Sequence, residues 1–153
     1  MINYRRILTL VDFDSQAEAV ARRGLQLARL HGATLALAGL VDYTPGEECE
    51  DCIPVMTPNR MRAAIAQDVS SKLQLLGDRI GAAGAEVIAA QGSRSAALAD
   101  LVNSWQPDLV VVGAHTRLGL NGWGAQLPFD VLTLQAEHPT LGGRVVRALA
   151  SAF

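Results

Sequence analysis

Two rhythms of apolar and polar positions alternate along this chain. Arg6-Ile-Leu-Thr-Leu-Val-Asp12 is a short apolar run bounded by charges, the pattern of a strand covered on both faces. Ser15-Gln-Ala-Glu18 then reads as a capping box that opens a helix. Ala17, Val20, Ala21, Gly24 and Ala28 fall on one face of that helix, and Glu18, Arg22, Gln26 and Arg29 on the other. Glu18 and Arg22 stand at the favourable i,i+4 spacing. His31-Gly32 closes the helix with a late histidine and a glycine stop.

The alternation repeats. Thr34–Val41 predicts a second strand, followed by an acidic loop from Asp42 to Thr57. Thr57-Pro58 is an N-cap and first-turn pair that opens a long helix to about Ala83. Met61, Ile65, Val69, Leu73, Leu76 and Ile80 step along its inner face. Ala85–Ala90 predicts a third strand, and Ser93 or Ser95 caps a helix that carries Leu98, Leu101, Val102 and Trp105. Asp108–Gly113 predicts the fourth strand, and the stretch from Gly113 to Gly124 is rich in glycine. Pro128 suits the first turn of a fourth helix to about Glu137, broken by His138-Pro139. Thr140–Val146 fits a final strand, and a terminal helix from Arg144 fits nearly as well.

Strands alternating with helices at this spacing form βαβ units, hence an α/β fold with a parallel sheet and helices on both faces. Ligands in such folds lie beyond the C-terminal ends of the strands, where the strand order reverses. That rule points to Asp12 after the first strand and to the loop that starts at Gly113 after the fourth.

Composition narrows the class. With 153 residues, half of them hydrophobic, the chain fits one domain over residues 1–153 that buries its core without disulfide or metal staples. A formal net charge of −2 gives no basic surface for nucleic acid. No apolar run approaches the roughly 18 residues needed to span a bilayer, so no membrane partner is expected, and the expectation is a soluble cytoplasmic protein. Only Lys72 among the 13 basic residues is a lysine, and the arginines form no single cluster.

The run Ile7-Leu-Thr-Leu-Val-Asp12, the helix after it, and Asp108-Leu-Val-Val-Val-Gly-Ala-His115 together resemble the universal stress protein family. The resemblance covers nearly the whole chain and is weakest in the loop after the second strand and at the C-terminus. It implies a five-stranded parallel sheet in the order 3-2-1-4-5, of the adenine nucleotide alpha hydrolase-like type. It also implies a homodimer and a cytoplasmic stress-response role; no constellation of residues suffices for an enzyme, so the leading expectation is a non-catalytic protein that acts through a protein partner.

ATP-binding members of that family carry Gly-x-x-Gly, nine residues, then Gly followed by Ser or Thr. Bare backbone N–H groups in such a stretch cradle phosphate oxygens, and the hydroxyl adds a donor. Here the first glycine is Gly113, but the second falls on Thr116, the third on Gln126 and the hydroxyl on Leu127. The chain therefore resembles the branch that does not hold ATP, and no cofactor is the leading expectation. The alternative is a sensor that binds ATP or AMP between Asp12 and the Gly113 loop. Its candidate residues are Asp12, Val41, Gly113, His115, Gly119, Gly122 and Gly124, with Asp12 contacting the nucleoside as the family's acid does.

Asp12 and Asp14 straddle the end of the first strand as acids do in magnesium-binding receiver domains, but the third strand ends Ala89-Ala90-Gln91-Gly92, with no acceptor aspartate. Helix and loop capping by the two aspartates is the plainer reading. Cys49-Glu-Asp-Cys52 supplies half of a tetrahedral zinc site, which a dimer would complete. Glu47, Glu48, Glu50 and Asp51 around it oppose a reactive thiolate and attract a cation. Inert loop thiols, a zinc site and a reversible disulfide all stay open there, so a metal or redox switch is a second alternative. Trp105 reads as core, and Trp123 as a lid over the crevice or a dimer contact.

Overall fold

The computed structural model describes residues 3–13, 16–41, 57–114, 127–135 and 149–150. Its elements are β1 (Arg6–Leu10), α1 (Ala17–His31), β2 (Thr34–Val41), α2 (Pro58–Ile80), β3 (Glu86–Gln91), α3 (Arg94–Trp105), β4 (Leu109–Gly113), β5 (Asp130–Leu134) and β6 (Leu149–Ala150). They form one sheet in the order β3-β2-β1-β4-β5-β6. The first five strands are parallel, and the two-residue β6 adds antiparallel to β5. The expected five-stranded parallel sheet, order 3-2-1-4-5, is the architecture found.

Period-2 alternation sorts the strand residues between two cores. Ile7 and Val11 of the first strand region, Leu35, Leu37 and Val41 of β2, and Val111 of β4 point toward α1 and α2. There they meet Val20, Ala21 and Ala28 of α1 and Val69, Leu73, Leu76 and Ile80 of α2. Leu8, Leu10, Ala36, Ala38, Val110 and Val112 point the other way, onto Leu98, Leu101, Val102 and Trp105 of α3. Helices thus cover both faces, and every residue of β4 is buried.

The helix ends follow their local chemistry. Thr57 caps α2 by accepting from the Arg60 N–H at 3.4 Å, with Pro58 in the first turn. Ser93, rather than Ser95, caps α3 by accepting from the Ala96 N–H at 3.4 Å. Gly32 ends α1 in the left-handed region at φ 63°, where glycine carries no Cβ penalty. Gly81 stops α2 three residues short of the expected end, again with positive φ.

Two expectations are corrected. The N-cap of α1 is Gln16, without a side-chain cap bond, where Ser15 was the expected cap; Ser15 itself lies outside the described residues. Glu18 accepts from Arg22 at 2.6 and 3.0 Å and lies 3.7 Å from Arg79, and Arg22 holds its carboxyl below the usual range.

The second correction concerns residues 128–137. The expected helix from Pro128 is replaced by β5, which pairs with β4 from Leu109↔Asp130 to Gly113↔Leu134. Phe129 and Val131 pack on the α3 side, while Leu132 and Leu134 pack on the α1/α2 side. That alternation is strand-like, and the buried edge of β4 must have its backbone groups paired. The final strand expected at 140–146 lies outside the described residues, and the fifth parallel strand is supplied by 130–134 instead. At the C-terminus, where strand and helix were both open, strand structure is found at 149–150.

Candidate functional site

The strand order reverses between β1 and β4: β2 and β3 continue to one side of β1, β4 and β5 to the other. β1 and β4 pair in parallel with Ile7↔Leu109 and Thr9↔Val111. Carrying that register forward sets Gly113 beside Val11, the residue before Asp12. Asp12 and Gly113 therefore share the crevice mouth that parallel α/β sheets use for ligands.

Asp12 is held from a third element. Its Oδ2 lies 3.6 Å from Nη1 of Arg94, with the side chains 32% and 34% exposed respectively. Arg94 is the first residue of α3, placed by the Ser93 cap, and Gly92 before it turns the chain at φ 120°. Half-sheltered charges of this kind are screened less than surface pairs such as Lys72–Asp68. Next to Asp12, Phe13 is exposed, and the Lys72 ammonium lies 5.7 Å from its ring centroid. Arg94 was not singled out in the sequence. The Ser93 cap announced a helix start, but nothing local links that start to Asp12 across two strands.

Val41 ends β2 with its side chain buried among the α1/α2 core residues, so that side chain faces the core. Gly113 ends β4, buried and opposite Leu134. His115, Gly119, Gly122, Gly124, Trp123, Thr116, Gln126, Cys49 and Cys52 lie outside the described residues. Leu127 is described: it is 37% exposed and leads, through Pro128 and Phe129, into β5. Among the described residues, no three of His, Cys, Asp and Glu cluster as a metal site would require. Likewise no described helix is long and apolar enough to cross a membrane.

The opposite end of the sheet is tied by side chains. Tyr4 donates to Asp130 Oδ2 at 2.8 Å, and the Arg5 and Arg6 N–H groups donate to Asp108 Oδ2 at 2.7 and 3.1 Å. Burial and the Asp130 carboxylate push the Tyr4 hydroxyl up to about 12. Arg6 lies over the Trp105 ring at 4.2 Å and donates to the Trp105 carbonyl at 2.7 Å. Trp105 in turn donates from Nε1 to Glu86 Oε2 at 2.7 Å. These bonds join β1, β3, α3 and β5 at the end away from the crevice, whereas Asp12 and Arg94 stand at its mouth.

This architecture, with its switch point between β1 and β4, is that of the Rossmann-like α/β proteins. The Universal stress protein family model matches residues 3–124, and the chain belongs to that family. Among solved structures, the universal stress protein UspA from Lactobacillus plantarum is 18% identical, with a TM-score of 0.62, over 88% of this chain and 99% of that one. A universal stress protein in complex with cAMP is 18% identical, with a TM-score of 0.58, over 87% of this chain and 98% of that one. The universal stress protein from Archaeoglobus fulgidus in complex with dAMP is 18% identical, with a TM-score of 0.55, over 86% and 98%. At these identities the likeness is one of fold. A comparison with curated protein sequences gives no match.

Proposed function

We propose that this chain is a non-catalytic stress-response protein of the cytoplasm that works as a homodimer through a protein partner and does not hold ATP. The observation that carries this reading is the path of the chain at Leu127. A triphosphate in this fold needs bare backbone N–H groups and a hydroxyl donor, ideally at a helix N-terminus. Here position 127 is an exposed leucine, and the chain runs on into β5 instead of a helix. Thr116 and Gln126 replace the two glycines before it.

Calorimetric titration with ATP tests the proposal. The expected result is no binding in the micromolar range; a dissociation constant below about 10 μM, roughly −6.8 kcal/mol, overturns it. Sedimentation at tens of micromolar is expected to give a dimer mass, and a monomer mass removes the homodimer from the reading.

A second reading has its own support. Asp12 stands partly exposed at the switch point, and two relatives of the same fold carry cAMP and dAMP. A nucleoside monophosphate does not need the triphosphate nest. On this reading the crevice takes an adenosine monophosphate as a regulator of partner binding, with Asp12 accepting from the ribose or base.

A further inference from the structure

The acid at the crevice mouth already has a cation. Asp12 and Arg94 come from different elements and meet at 3.6 Å, in contact but beyond the 2.7–3.2 Å of a close N–H···O hydrogen bond. Both side chains are about one-third exposed, so a ligand in the crevice has access to each. Ser93 caps the helix that Arg94 opens, and just past β1 the Val11 N–H, beside Asp12, donates to Ala38 O at 2.8 Å.

A neutral nucleoside and a nucleotide meet this pair on different terms. A neutral nucleoside that uses Asp12 as its acceptor competes with the guanidinium for the same carboxylate oxygens. It offers Arg94 nothing of opposite charge. A nucleoside that carries a phosphate supplies hydroxyl donors to Asp12 and an anion that a guanidinium binds in forked geometry. The ion pair then opens into two charge-assisted contacts rather than being broken for one.

We propose that Arg94 is the specificity-determining residue of the Asp12 crevice, selecting a nucleoside that bears a phosphate over the same nucleoside without one. This rests on the second reading above, that the crevice admits a monophosphate. The selection comes from the first residue of α3, outside the glycine-rich loop where phosphate recognition was sought in the sequence.

The test is titration of the full chain with AMP and with adenosine, followed by backbone amide NMR shifts, which also read weak binding. In the unsubstituted protein, AMP is expected to bind at least about five-fold more tightly than adenosine, a preference that shrinks as salt is raised. Arg94→Gln is expected to bring the two affinities together, by weakening AMP and strengthening adenosine. Arg94→Lys keeps the charge and is expected to retain most of the preference; it also controls for any loss of folding in the glutamine variant. An AMP-to-adenosine ratio unchanged in Arg94→Gln overturns the role of Arg94 while the second reading stands. Absence of shifts with either ligand at millimolar concentration, in both proteins, overturns the second reading and the inference with it.

Discussion

Gly24 on α1 lies so close to Thr9 on β1 that a methyl group at position 24 would overlap Thr9 Oγ1. The contact sets how near α1 comes to the central strand, and through it the α1/α2 core. Thr9 is fully buried, and its hydroxyl has no hydrogen-bond partner among the described residues. Gly24→Ala is expected to destabilise by about 1–3 kcal/mol through overpacking, despite alanine's better helix propensity. Thr9→Ala in the same chain should recover part of that loss, because the Thr9 Cβ itself would lie 3.2 Å from the new methyl. Urea denaturation of the two single variants and the double variant measures the coupling, and strict additivity would show that the helix does not sit on Thr9. Thr9→Val alone should stabilise by about 1 kcal/mol, since it removes a buried hydroxyl with nothing to bond.

Tyr4 gives the fold a pH dependence at the alkaline end. Its hydroxyl is pushed up from 10.0 to about 12, first by burial and then by its bond to Asp130. Between these values the unfolded chain has lost the Tyr4 proton while the folded chain keeps it, so stability falls as pH rises. The contribution is complete below pH 10 and lost by about pH 12. Tyr4→Phe is expected to be less stable at neutral pH, for want of the Asp130 bond, and to show a shallower decline over this window. Thermal melts at pH 9, 10 and 11 compare the slopes; parallel slopes in the two proteins would dissociate Tyr4 from the effect.

The ring of Trp105 is held on both sides, by Arg6 at 4.2 Å from its centroid and by Glu86 on its N–H. Trp105→Phe keeps most of the apolar surface but leaves Glu86 without that donor. A loss of about 1–2 kcal/mol in denaturant stability is expected. Glu86→Gln retains an acceptor and should cost less than the phenylalanine variant does. A larger cost for Glu86→Gln would mean that its charge, rather than the indole bond, anchors β3 to α3.

The alternating elements as far as Gly113 could be read from the chain because their signals are local. β2 has its expected bounds, Thr57-Pro58 and Gly32 act at the helix ends as their chemistry requires, and the inner faces of α1 and α2 are those the spacing gave. Two things were not local. Phe129-Asp-Val-Leu-Thr-Leu134 satisfies helical and strand spacing alike, and the demand of β4 for a hydrogen-bonding neighbour chooses the strand. Asp12 could be placed at the switch point from the first strand alone, but its cation comes from α3, where no sequence rule pairs the two. Beyond Gly113, the glycine-rich stretch from 115 to 124 and the Cys49–Cys52 loop lie outside the described residues.

Thr133 separates the two readings of residues 130–134 by the sign of one substitution. In β5 it pairs with Val112 on one side and Leu149 on the other, half-buried between them. A β-branched side chain favours such a pleated, partly covered position, whereas in a helix it loses rotamer freedom against the preceding turn. Thr133→Ala is therefore expected to destabilise by up to about 1 kcal/mol if the segment is a strand. In the helix expected from Pro128, the same change would stabilise by a few tenths to about 0.7 kcal/mol. Equilibrium urea denaturation reads the sign directly, and hydrogen exchange gives an independent check. As a strand between β4 and β6, the segment should protect the amides that bond to β4 about as well as those of β4 itself. A stabilised Thr133→Ala variant, with helical i,i+4 protection through residues 130–135, would overturn the pairing of β4 with β5. It would also restore a helix N-terminus near Leu127, and with it the strongest argument for a phosphate at the crevice.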